Sequence, residues 1–114
     1  MIQVEIREGY KNTTKPWRIT ASGHADYAEE GKDIICAAVS TLIGTLALQM
    51  CEWETSGKVV DTEYHIGGKG DSMLTFWARD DGIDYVIDYL YTGLKALSHD
   101  YPWNVRVKRV SGNF

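Results

Sequence analysis

Two side chains in the first third of the chain have the types and spacing for nucleophilic catalysis: His24 and, twelve residues on, Cys36. Asp33 immediately precedes an apolar periodic run and is placed to cap a helix, which makes Ile34, Ile35 and Cys36 its first three residues. A thiol there lies beside unpaired backbone N–H groups and the positive end of the macrodipole, a setting that favours thiolate, the reactive form of cysteine. Those N–H groups could also donate to the oxyanion formed when sulfur attacks a carbonyl. A histidine brought back by the intervening loop could take the thiol proton and later pass it to a leaving amine. Spacing alone leaves the alternative open that Cys36 only packs, because cysteine is among the most buried residue types.

Other chemistries fit less well. His24, Cys36 and His65 lack the close ligand spacing of a zinc site, so neither metal nor cofactor is expected. His99 follows the last apolar residue of a helical run, where a protonated ring suits the dipole. No C-x-x-C motif exists, and Cys51, fifteen residues after Cys36 on one helix, would lie about 22 Å away, beyond disulfide reach. Two unpaired thiols suit a reducing, cytoplasmic setting. The glycine-rich GGKGD segment has neither Walker nor dinucleotide spacing and reads as a turn.

The elements that must position the pair follow from hydrophobic period. Ile2, Val4 and Ile6, then Trp17, Ile19 and Ala21, alternate with polar residues as two half-buried strands joined by GYKNTTKP. From Asp33 onward, Ile35, Val39, Leu42, Leu46, Met50 and Trp53 form one helical stripe. A second stripe of small residues, Cys36, Ser40, Gly44, Ala47 and Cys51, is expected to admit close packing against the sheet or another helix, with a subunit interface as the alternative. Val60, Thr62, Tyr64 and Ile66 make one strand face, and Leu74, Phe76 and Ala78 belong to the next strand. Ile83, Val86, Ile87, Leu90, Leu94 and Leu97 keep helical spacing until Pro102, and a last strand runs from Trp103 to Val110. The order β-β-α-β-β-α-β predicts a single α+β domain over 1–114, a mixed or antiparallel sheet with two helices packed on it. The four tryptophans are expected in the core or an interface, with Tyr27 better placed to touch a substrate.

Composition agrees with one globular domain. The chain has 114 residues, 44% hydrophobic and 25% charged, near the average for folded domains. Its net charge of -4 lacks the basic footprint of a dedicated nucleic-acid binder. The charged start, MIQVEIRE, is unlike a signal peptide. The run from Ile34 to Met50 is interrupted by Ser40, Thr41, Gly44, Thr45 and Gln49 and is expected to be a buried helix, with no membrane partner.

The segment SGHADYAEEGKDIICAAVSTLIGT resembles the signature of the ribosomal-processing cysteine protease family (Prp): Gly-His-Ala, a variable loop closed by Gly-x-Asp, an aliphatic pair, Cys-Ala, and a serine four residues after the cysteine. The match is densest from Ser22 to Gly44. The resemblance implies a cysteine endopeptidase in which Cys36 is nucleophile and His24 base, removing the N-terminal extension of a large-subunit ribosomal protein. It also implies a homodimer, and cleavage next to aromatic residues, which requires an apolar cleft. Related phage and prophage proteins point to capsid or scaffold substrates instead. A noncatalytic ribosome- or virion-assembly module binding the same peptide is the rival from another class. Gly23, Ala25, Tyr27, Gly31, Asp33 and Ser40 complete the candidate site. Asp33 is first a helix cap, and Ser40 either supports the site or bonds its own helix. The loop 25–32, with Gly23 and Gly31 at its ends, reads as a mobile lid, with surface solvation of its charges as the alternative.

Overall fold

A computed structural model describes residues 1–29, 32–67 and 71–114. The elements are β1 (Ile2–Glu8), β2 (Lys15–Ser22), α1 (Ile34–Thr55), β3 (Val59–Ile66), β4 (Ser72–Ala78), α2 (Ile83–Asp100) and β5 (Val105–Ser111). Five strands form one sheet in the order β3-β4-β2-β1-β5, with β1 and β5 parallel and every other pair antiparallel. The expected order and mixed sheet are therefore present.

One face of the sheet carries the apolar half of each alternation. Ile2, Val4, Ile6, Trp17, Ile19, Ala21, Val59, Leu74, Phe76 and Val105 are buried there beneath the helices. α1 contributes Ile35, Val39, Ile43, Leu46, Ala47 and Met50, and α2 contributes Ile83, Ile87, Leu90 and Leu94. Leu42 and Trp53, expected in the α1 stripe, are only partly buried, with Ile43 and Ala47 taking the central positions. By length and composition α1 could cross a membrane; here its apolar stripe packs into this core. Trp17 is fully buried, while Trp103 is 86% exposed, outside the core.

β3 departs from simple alternation. A register shift lies between Val60 and Glu63, and Asp61 adopts a left-handed φ of 55°. Two residues then stand against one on β4, so Val60 faces opposite to Tyr64 and Ile66 rather than sharing their face. The small-residue stripe of α1 is mixed: Ala47 is fully buried in the core, whereas a Cβ on Gly44 would meet nothing within 4 Å among the described residues. Helix contact occurs elsewhere, where a Cβ on Gly93 of α2 would lie 3.7 Å from Leu42.

Candidate active site

Residues 23–33 connect the C-terminal end of β2 to the N-terminal end of α1, and one carboxylate links Tyr27 and Ala28 of that connection to the helix start. Asp33 is the N-cap of α1, extended at φ -82° and ψ 102°. Its Oδ1 accepts from the backbone N–H of Ile35 at 2.9 Å and Cys36 at 3.1 Å. Its Oδ2 accepts from Tyr27 at 3.0 Å and Ala28 at 3.3 Å. Partial burial opposes the charged form of Asp33, but the four donors, those of Cys36 and Ala28 foremost, outweigh it and hold the carboxyl below the ordinary aspartate range. A single side chain thereby fixes the turn carrying Cys36 and the loop that begins at His24.

This capping narrows the set of expected oxyanion donors. The N–H groups of Ile35 and Cys36 are taken by the Asp33 carboxylate, and that of Ala37 donates to the Asp33 carbonyl at 3.2 Å. They are not free donors in this arrangement. Cys36 is half-buried, as is Ser40 one turn further on the same face. Ser40 makes no side-chain hydrogen bond among the described residues, neither to its own helix backbone nor to the site. His24 is exposed, and no hydrogen bond joins it to Cys36 among the described residues.

Ala25 and Tyr27, in the segment after His24, are held by contacts with the far end of the chain. Ala25 is fully buried in the core, and its carbonyl accepts from the Asn104 side chain at 2.8 Å. The Tyr27 ring meets the Tyr101 ring edge-on, with centroids 5.5 Å apart. Tyr27 remains 49% exposed. Gly23 has φ +90°, and a Cβ there would run into the Met1 carbonyl oxygen, so it serves a close backbone approach. The other expected hinge, Gly31, lies outside the described residues, as does Glu30. Tyr101 and Asn104 were not legible as site residues, for they contact the loop from the far end of the chain and carry no local motif.

Among the described residues no cluster of three or more His, Cys, Asp or Glu could hold a metal ion. The two cysteines are unpaired.

The structure is an α+β domain that presents a half-buried cysteine in the first turn of α1, with His24 two residues beyond the end of β2. The model of the family "Cysteine protease Prp" matches residues 1–106, and the chain belongs to that family. The ribosomal processing cysteine protease Prp of Mycoplasma pneumoniae is 35% identical over 94 residues, covering 81% of this chain and 86% of that protein. The Mycoplasma genitalium counterpart is 28% identical over 112 residues, covering 97% and 98%. The same fold occurs in the ribosomal processing protease Prp from S. aureus, solved with a covalently linked product peptide, at a TM-score of 0.70 and 19% identity, covering 96% of this chain and 99% of that one. The protein is a cysteine protease.

Proposed function

We propose that the protein removes the N-terminal extension of a large-subunit ribosomal protein by attack of Cys36, with His24 as base. The observation that carries the site assignment is the Asp33 carboxylate, which binds the Cys36 turn and the His24 loop at once. The substrate class follows the relatives, which are ribosomal processing proteases. In the first step the Cys36 Sγ bonds to the scissile carbonyl carbon while its proton passes to His24. The tetrahedral oxyanion then collapses to a thioester as His24 protonates the departing amine. Water, deprotonated by His24, attacks the thioester and releases the new acid with regeneration of the thiol.

Asp33 accepts from the N–H groups of Ile35 and Cys36, which leaves fewer backbone donors at the start of α1 for an oxyanion. The Ser40 hydroxyl, half-buried one turn from Cys36 and without a partner among the described residues, is a side chain suited to donate to it. Ile34, 58% exposed at the start of α1, offers apolar surface for an aromatic residue beside the cut. The unpaired thiols suit action in the cytoplasm.

A homodimer completes the reading. Between Asp33 and Glu52, α1 carries no charged residue, and Ile34 and Leu48 are 58% and 65% exposed, an apolar face of the kind that a second copy covers. Incubation of the purified protein with a ribosomal extension peptide and with a capsid-derived peptide, read by mass, tests the substrate. Cleavage of the capsid peptide alone would transfer the function to phage processing. Sedimentation of wild type against Leu48→Glu tests the dimer.

A further inference from the structure

We propose that Asn104, at the corner between α2 and β5, is a positioning residue that sets where His24 stands. This inference rests on the assignment of His24 as base to Cys36. The His24 ring is exposed and has no hydrogen-bond partner among the described residues, so its location depends on the backbone either side of it. On the N-terminal side, Gly23 is held at φ +90° against Met1, and its N–H donates weakly to Asp71 Oδ1 at 3.4 Å. On the C-terminal side, the peptide carbonyl of Ala25 is carried into the core, where Ala25 is fully buried. A buried carbonyl requires a donor, and the Asn104 Nδ2 supplies it at 2.8 Å across 79 residues of sequence.

Asn104 is itself rigidly placed. Its N–H donates to the Tyr101 carbonyl at 3.0 Å, and its carbonyl accepts from Ile2 N–H at 2.9 Å. The Tyr101 N–H closes α2 on the Leu97 carbonyl at 2.8 Å, and the Tyr101 ring braces Tyr27 edge-on. The corner therefore links the end of α2, the start of β1 and β5, and the residues on both sides of Asp26. Loss of the Asn104 amide frees the backbone directly after His24 while leaving the strand hydrogen bonds intact, since those use only the Asn104 main chain. A general base misplaced by about 1 Å loses up to roughly a hundredfold in rate.

The test compares Asn104→Ala and the milder Asn104→Ser with His24→Ala, using peptide cleavage and the rate of Cys36 alkylation at about pH 6 relative to about pH 9. Thermal unfolding, read in parallel, separates folding from positioning. The expected result is a fall in kcat of about tenfold or more with KM within about twofold, together with a pH 6 to pH 9 alkylation ratio that drops toward that of His24→Ala. If His24→Ala lowers the ratio and folded Asn104 variants keep the wild-type ratio, Asn104 is structural only and the proposal is overturned while the dyad stands. If His24→Ala itself leaves the ratio and cleavage unchanged, the Cys36–His24 assignment fails and the role of Asn104 falls with it.

Discussion

Replacing Asp33 should uncouple the two halves of the site in a graded way. Its four accepted hydrogen bonds divide between two oxygens, one for the helix start and one for the loop. Asp33→Ala removes both functions. Loss of the N-cap costs about 1 kcal/mol, and the two loop bonds, partly open to water, add roughly 0.5 kcal/mol each. The sum of about 2 kcal/mol lowers Tm by about 8 °C in a domain of this size. Asp33→Asn keeps a cap oxygen but turns the other into an amide that faces the N–H groups of Tyr27 and Ala28, donor against donor. It should lose only about 1 kcal/mol, or about 4 °C, and release the loop while leaving the helix capped.

The dependence on pH has a definite sign. The folded carboxyl titrates below its unfolded value because burial is outweighed by four N–H donors. Its contribution to stability is therefore complete above the unfolded value of about 3.9 and is lost as pH falls through the folded one. Thermal unfolding of the three proteins between about pH 7 and pH 2, with hydrogen exchange at Tyr27 and Ala28, measures both effects. The reasoning is refuted if Asp33→Ala melts within about 2 °C of wild type at pH 7 or if its deficit stays constant to the lowest pH.

Further expectations follow from the same geometry. A small alkylating agent should label Cys36 faster than Cys51, which lies at the negative end of α1 beside Glu52, and peptide mapping by mass reads the ratio. Gly23→Ala should destabilise by more than about 1 kcal/mol, because its φ of +90° and the adjacent Met1 carbonyl leave no place for a Cβ; urea titration measures this, and cleavage should fall as His24 shifts. Ser40→Ala should reduce kcat by about 10²-fold with little change in Tm if its hydroxyl meets the oxyanion. Phe76→Ala, deep in the core, should cost about 3–5 kcal/mol without touching the site, as judged by urea unfolding.

Much of the fold was legible because each element repeats one period strongly. The alternations in β1, β2 and β4 and the stripe of α2 correspond to the buried sets. β3 was not legible in register, since the left-handed Asp61 shifts the parity by one residue and no glycine announces it. The free side of Gly44 was hidden for another reason: small residues permit a close approach without requiring one. At the site, Asp33 was legible as a cap, and that alone implied occupied N–H groups at Ile35 and Cys36, a consequence the oxyanion expectation overlooked. The Asn104 bond to Ala25 spans 79 residues and depends on the sheet bringing β5 beside β1, which no local pattern encodes.

The most direct test of the central claim is the mass of the products formed from a ribosomal extension peptide by wild type, Cys36→Ala and His24→Ala under one set of conditions. The account predicts a single cut by wild type, none by Cys36→Ala with its Tm retained, and a rate lowered by about 10²–10⁴-fold in His24→Ala. Cleavage by Cys36→Ala at the wild-type rate would contradict it.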